Sequence, residues 1–375
     1  MTAAHGEGEL GEVARLFLKL GVVGFGGPAA HVALMREEVV TRRGWVDDRE
    51  FLDLLGATNL IPGPNSTELA MHLGARRSGG RGLVVAGLCF IGPAVAIVSV
   101  IAWLYDRYGT DPVVVDMRYG VLPVVIAIVA NALFGLGRTA LTSAIMWVVG
   151  LASFGAFLAG VHELVVLVAG GTVTALWSVR NRAPLVALLA PLWQVAAGPE
   201  GISLWRVFLV FLEIGSLLYG SGYVLLAFLE QNFVDELGWL TEQQILDAVA
   251  VGQVTPGPLF STATFVGWQL AGPAGAAVAT VGIFLPSFVF VAFLARIVPW
   301  VQRHPLARAA LDGVTAASLG LMAAVLVELA GTALTDVVTV AIAVVALALV
   351  ARTRVGSAYL IGAGLVIGLL HAALT

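Results

Sequence analysis

Charge is scarce in this chain, since only 12% of its 375 residues are Asp, Glu, Lys or Arg, against roughly 25% in an average soluble domain. Lysine is scarcer still, with Lys19 alone. So little charge excludes an ordinary cytosolic enzyme. The single cysteine, Cys89, excludes an internal disulfide and a thiolate metal site, and within an apolar run it reads as a small buried hydrophobe that leaves the redox compartment undetermined. Met1 to Glu12 contain no Lys or Arg, so the basic n-region of a cleaved signal peptide is missing and the first apolar segment is expected in the mature protein. His31, His72, His162 and His304 show no H-x-x-x-H or H-E-x-x-H spacing, and there is no G-x-S-x-G, Walker A or Rossmann glycine pattern in its required context. Metal binding, enzyme chemistry, an ATP-driven pump, a cofactor and a nucleic-acid partner are accordingly not expected.

What the chain has instead is apolar length. It is 59% hydrophobic, with a mean hydropathy of +0.95. Runs such as Leu83 to Leu104, Gly120 to Leu136, Leu141 to Ala159 and Val337 to Ala351 recur with charges only between them. Their natural solvent is a lipid bilayer, and the expected fold class is an all-α polytopic membrane protein.

The sequence also repeats itself. A shift of 194 residues lays Phe17-Leu18 on Phe211-Leu212, Gly44-Trp45 on Gly238-Trp239, Asp53 on Asp247 and Pro62-Gly63-Pro64 on Pro256-Gly257-Pro258; after a one-residue indel, Gly74 meets Gly267 and Pro93 meets Pro286. The expected organisation is an N-terminal repeat over 10–182, a connector over 183–203 and a C-terminal repeat over 204–375. The connector's apolar stretch, Leu185 to Ala197, is short and reads as interfacial. Charge indicates how the halves are oriented. Arg36, Arg42, Arg43 and Arg49 mark the first-half loop, whereas the matching second-half loop carries Glu230, Asp235, Glu236 and Glu242. The positive-inside rule therefore puts these loops on opposite faces and makes the repeats antiparallel, that is, of inverted topology.

The loops 36–49 and 76–81 are both rich in arginine, so both belong on the cytoplasmic side, yet the segment between them is apolar. Each limb, Phe51 to Ile61 and Asn65 to Ala75, reaches about half of a ~30 Å hydrocarbon core at ~1.5 Å per residue. A re-entrant hairpin with Pro62-Gly63-Pro64 at its tip satisfies both facts, and Pro256-Gly257-Pro258 tips its counterpart; one kinked through-going helix per half is the alternative. An earlier break lies at Gly24-Phe25-Gly26-Gly27-Pro28 and at Gly220-Ser221-Gly222, where the glycines could instead serve close helix packing. Each half then holds a broken helix, a re-entrant hairpin and about four further membrane spans. Counting the broken helix as a span gives five crossings per half and places both termini outside.

Helices that begin inside a membrane present unpaired amides and the positive end of a dipole, which call for an anion or a cap. The candidate substrate-binding residues are Gly26, Gly27, Gly63, Gly220, Ser221, Gly222 and Gly257 for open amides, and Asn65, Ser66, Thr67, Ser261 and Thr262 for side-chain donors. A small tetrahedral oxyanion suits them. Lys19 joins the set as an intramembrane charge, although snorkelling or a carboxylate partner would equally account for it. Its repeat equivalent is Glu213, so an ion pair between the halves is conceivable. Glu68 either caps its helix through its spacing from Asn65 or, if buried, carries a coupling proton, with Glu213 as the other candidate carrier. Asp53 and Asp247 are expected to steady helix N-terminal turns.

The duplicated pattern F-L-x-[LI]-G…G-W…[F/I]-L-D…P-G-P, with Gly24-Phe25-Gly26-Gly27-Pro28 in the first copy and Pro286-Ser287-Phe288 in the second, resembles the CHR family of chromate ion transporters in its two-domain long-chain form. The likeness covers nearly the whole chain and is strongest over Gly21 to Gly74 and Gly215 to Gly267. It implies a multi-pass protein of the bacterial inner membrane that exports chromate using the proton-motive force and so confers chromate resistance. Chromate and protons are the implied partners, sulfate is the isostere to weigh, and a homodimer is compatible with it. The second glycine-rich break, Tyr219-Gly220-Ser221-Gly222, lacks the family's proline, so the half-sites are chemically unequal. Uptake or exchange of another oxyanion is the rival within transport, and a non-transporting membrane sensor or structural subunit is the rival outside it.

Overall fold

The computed structural model describes residues 7–24, 27–58, 61–109, 112–179, 202–218, 224–353 and 355–374, and among these the regular structure is helical, with no strand. The helices are α1 (Glu7–Val23), α2 (Gly27–Arg36), α3 (Asp48–Thr58), α4 (Asn65–Tyr108), α5 (Pro112–Ala140), α6 (Ala144–Leu158) and α7 (Glu163–Val179) in the first part of the chain. They continue as α8 (Leu204–Leu217), α9 (Leu225–Glu230), α10 (Glu242–Val254), α11 (Thr262–Arg303), α12 (Pro305–Ala333), α13 (Val337–Arg352) and α14 (Ser357–Leu374). Polar residues at the ends set several starts. Ser203 accepts from the Arg206 amide, and Thr241 with Gln244 and Asp336 with Thr339 form reciprocal capping boxes.

Four of the described segments are long and apolar enough to cross a bilayer: Asn65–Tyr108, Asp116–Arg138, Leu259–Phe293 and Pro305–Ala333. Four shorter apolar helices accompany them, Ala144–Leu158, Glu163–Ser178, Val337–Arg352 and Ser357–Ala373. Large apolar side chains such as Leu151, Val344 and Leu370 point outward from these helices, as expected where the surrounding solvent is hydrocarbon. The chain is an all-helical membrane protein.

Backbone detail recurs at the offset seen in the sequence. Glu37–Arg42 and Gln231–Glu236 are both π-helical, and both segments close on a glycine of φ 60°, Gly44 and Gly238. Two of the long helices are sharply bent. Ser78–Gly79 interrupts α4 with φ/ψ of −142°/28° and 61°/−152°, and Ala271–Gly272 interrupts α11 with −151°/31° and 60°/−151°. That second backbone geometry is open to glycine and strained for other residues. At each bend the chain folds back on itself, so that Gly74 packs against Gly82 and Gly267 against Gly275, where added Cβ atoms would meet carbonyl oxygens.

The halves interlock. α6 and α7 pack on α12, while α13 and α14 pack on α5; α1 lies on α4, and α8 on α11. Glycines permit the closest of these approaches, with Gly170 against Gly313 and Gly364 against Gly120. A polar contact also joins the halves. Tyr105 donates to Asp247 at 2.5 Å, and Arg118 reaches Tyr105 at 2.8 Å and Asp247 at 3.1 Å. Asp247 therefore ties α10 to α4 and α5; it does not steady the first turn of its own helix.

One expectation is overturned. The broken helix over Val13 to Leu34 does not run through as a span, because α1 and α2 lie antiparallel. Arg43 comes within 4.0 Å of Glu12, Lys19 within 2.7 Å of Glu38, and the His31 ring within 2.9 Å of the Gly24 carbonyl. The residue sums of these pairs stay nearly constant, as a reversal near residue 27 requires. The start of α1 consequently lies on the arginine-rich face: Arg77 pairs with Glu9 and Glu12, and Arg76 with Glu50. The start of α8 likewise lies on the face of its own loop, with Arg206 over the Trp239 ring at 5.3 Å. Of the expected connector, all but residues 202 and 203 lies outside the described residues.

With Cys89→Ser as background, Gly11→Cys and Asp48→Cys should react with a membrane-impermeant maleimide from the same side of the membrane. Labelling from opposite sides would show that α1–α2 crosses.

Candidate functional site

Each half breaks its first helix inside the protein, which leaves a C-terminal carbonyl without an in-helix donor. The Pro-Gly-Pro tip of the other half supplies that donor. Gly63 N–H donates to Leu218 O at 2.9 Å, and Gly257 N–H donates to Gly24 O at 2.9 Å. Donors and acceptors are both related by 194 residues, so the two bonds are reciprocal copies of one contact. Sequence reasoning offered the amides of Gly63 and Gly257 to an anion. They are engaged here as helix caps, and their role is to position what surrounds them.

The tips also fit against the long helices of the opposite half. A Cβ at Gly257 would stand 2.9 Å from Ala94 Cβ on α4, and a Cβ at Gly63 would collide with the Glu68 carboxyl and with Ser287 Oγ on α11. Ala94 and Ser287 occupy corresponding positions in the two halves. Only glycine allows so close an approach at these tips.

Just beyond the tips lies a set of enclosed polar side chains. Ser66, Thr67 and Glu68 open α4, and Ser261 and Thr262 open α11; all five are at most 3% exposed. Thr67 Oγ1, both Glu68 oxygens, Gln253 Nε2, Ser261 Oγ and Ser287 Oγ are buried without a hydrogen-bond partner. Buried polar groups are nearly always paired, and leaving one unpaired costs about 1–3 kcal/mol. A ligand presenting several acceptor oxygens would satisfy such hydroxyl and amide donors.

The remaining sequence-predicted residues divide clearly. Thr262 Oγ1 donates to Leu259 O at 2.8 Å and so serves its own helix start. Asn65 stands at the start of α4, and Gly27 begins α2. Gly26, Gly220, Ser221 and Gly222 lie outside the described residues. Lys19 is half-exposed and bound to Glu38, which also receives Arg42 at 3.2 Å and Arg43 at 3.0 Å. Its partner is in its own half, so the ion pair with Glu213 across the halves does not form. Glu213 is half-buried on α8.

Sequence reasoning passed over His31, having asked of it only whether it binds metal. Its ring is 2% exposed, with Nε2 2.9 Å from Gly24 O and an edge-on contact with Phe90. Bonding to a carbonyl makes Nε2 the donor and leaves Nδ1 an acceptor; Nδ1 is buried without a partner. His31 therefore shares the Gly24 carbonyl with the Gly257 tip. Ser287 and Gln253 were missed because their helices carry no local signal that points them inward.

The family model described as "Chromate transporter" matches this chain twice, over residues 11–175 and 205–369. A probable chromate transport protein of Synechococcus elongatus is 33% identical over 357 residues, covering 92% of this chain and 90% of its own. The chromate transport protein of Pseudomonas aeruginosa is 35% identical over 84% of this chain and 79% of its own, and that of Cupriavidus metallidurans is 31% identical over 95% and 91%. No solved structure matches. These relatives are transporters and not enzymes, in keeping with a multi-pass helical protein of the bacterial inner membrane. The chain belongs to the chromate transporter family.

Proposed function

We propose that this protein is a secondary active transporter that exports chromate across the cell membrane and is driven by the proton-motive force. The observation that carries the reading is the cluster of buried, unpartnered donors beyond two tips that cap each other's broken helices. Thr67, Ser261, Ser287 and Gln253 supply neutral donors for a tetrahedral dianion, and Ser66 adds a first-turn amide. Reversal of α4 at Gly79 and of α11 at Gly272 supports reading 51–75 and its counterpart as re-entrant hairpins.

The exchange of partners between α5 and α12 supports two inverted repeats over 10–182 and 204–375, as does a family match in two separate stretches. In this reading the connector over 183–203 joins opposite faces, because α7 starts beside Glu236 whereas α8 starts beside Trp239. The arginine-rich face is cytoplasmic. A dianion approaching from there meets Arg36, Arg42, Arg43 and Arg76, whereas the other face presents Glu230, Asp235, Glu236 and Glu242. Steering by these fields favours loading from the cytoplasm and release outside.

Glu68 is the proposed proton carrier. It is fully buried, its oxygens have no donor, and the second half has Thr262 in its place, so it belongs to one half-site only. Protonated, it donates to an oxyanion; ionised, it repels one. Rocking of the halves about the shared tips would then alternate access to the site.

Purified protein in proteoliposomes should accumulate chromate only when a pH gradient is imposed, and a flat time course with correctly oriented protein would reject the reading. Glu68→Gln should still bind and exchange chromate while losing acceleration by the gradient. A variant whose flux follows the gradient as the wild type does would remove Glu68 from coupling. Thr67→Val and Ser261→Ala should each raise the half-saturating chromate concentration on the order of 10-fold, the lower end of the ~1.5–3 kcal/mol of a hydrogen bond to a charged group.

A further inference from the structure

The two faces of the protein solve the same electrostatic problem differently. At corresponding positions, Lys19, Glu38 and Arg42 of the first half become Glu213, Asn232 and Glu236 of the second. The first set neutralises itself through the Lys19–Glu38 and Arg42–Glu38 pairs. The second set has lost both cations and faces a further carboxylate, Glu163 at the start of α7, whose Oε1 accepts from Asn232 Nδ2 at 3.1 Å. Charge balance there has to come from elsewhere.

His162, next to Glu163 in the α6–α7 corner, shows where. Its Nε2 lies 2.8 Å from Glu236 Oε1, while its Nδ1 accepts the Leu164 amide at 3.2 Å. Nε2 thus holds the proton and Nδ1 presents a lone pair. That lone pair is 3.4 Å from Glu163 Oε2, which has no hydrogen-bond donor although Glu163 is only 2% exposed. Two acceptors face one another with no proton between them. Their separation is that of two ligands at a tetrahedral angle about one ion, given metal–ligand bonds of about 2.0–2.2 Å. One donor atom from each of His162, Glu163 and Glu236 falls within 4.8 Å of the other two.

We propose that His162, Glu163 and Glu236 form a binding site for a divalent transition cation of the zinc class. His162 Nδ1 and Glu163 Oε2 are the primary ligands. Glu236 holds the imidazole by its Nε2 proton, the carboxylate–histidine–metal arrangement that fixes tautomer and ring orientation. Asn232 fixes the Glu163 carboxylate in the same way. A mixture of imidazole and carboxylate suits zinc better than calcium or magnesium, which prefer oxygen alone. The ion would join the α6–α7 corner of one half to the π-helical turn of the other, at the side where the first half uses its own lysine and arginine. The spacing rules of the sequence could not find this site, because its ligands come from 162–163 and 236.

The test uses tag-free, full-length protein in detergent, stripped with a chelator and equilibrated with Zn2+ alone, bound metal being measured after dialysis. The wild type should hold one Zn2+ per chain, and its unfolding temperature should rise with Zn2+ concentration. His162→Gln and Glu163→Gln should weaken binding by at least ~10-fold and abolish the thermal shift, while Glu230→Gln, a buried carboxylate outside the cluster, should leave both intact. Should the buried variants fail to fold, Glu236→Gln at the more exposed edge of the site gives the same readout. The proposal is overturned by absence of stoichiometric binding, or by binding that these variants do not alter.

Discussion

The fold depends on a hydrogen bond made twice: the amide of each Pro-Gly-Pro tip to the last carbonyl of the other half's broken helix. A helix that stops inside an apolar medium leaves carbonyls that water cannot reach, at several kcal/mol each if unsatisfied. Gly63 with Leu218, and Gly257 with Gly24, remove that cost reciprocally. Neither half could do so alone. The remaining packing follows the same exchange, with α6 and α7 on α12, and α13 and α14 on α5. A hairpin that moves must therefore carry the opposite helix end with it or trade its acceptor for another, so the two halves are mechanically coupled at their centre.

Backbone and side chains have diverged to different extents within this duplicated frame. The bends at Gly79 and Gly272 agree within 10° in every angle, and the π-helical turns close identically on Gly44 and Gly238. The chemistry along the frame is not symmetric. Glu68 faces Thr262 across the repeat, Ala94 faces Ser287, and His31 faces Leu225. Backbone geometry is constrained by caps and close glycine contacts that both halves need. Side chains beside the tips are free of that constraint, so one half can specialise in donors and the other can add a carboxyl group.

Much of this architecture is legible in the sequence because proline and glycine announce backbone events directly. The repeat, both tips and both breaks can be placed from Pro62-Gly63-Pro64, Pro256-Gly257-Pro258 and the glycine-rich segments. What resists reading is which partner a freed backbone group finds. The amides of Gly63 and Gly257 read as open, yet they are occupied by carbonyls from 155 and 233 residues away along the chain. The reversal of α1 onto α2 is equally obscure in an apolar stretch of span-like length; its best clue is that Glu9 and Glu12 complement Arg77 and Arg43. Inward-facing Ser287 and Gln253 lie on helices whose hydrophobicity is nearly uniform around the axis, so no periodicity singles them out.

Occupied tip amides change how a dianion could be held. Among the described residues no lysine or arginine is buried, and Lys19 is bound by Glu38 at the surface. Hydroxyl and amide donors around Thr67, Ser261 and Ser287 can coordinate oxygen atoms, but being neutral they cannot balance two negative charges in a medium of low dielectric constant. The mobile positive charge that such a site can admit is the proton, and its acceptors in the enclosed region are Glu68 and the unpaired Nδ1 of His31. Coupling to protons then follows from electrostatics, since an anion site built of neutral donors fills most readily when the neighbouring carboxyl group is neutral and empties when it is charged.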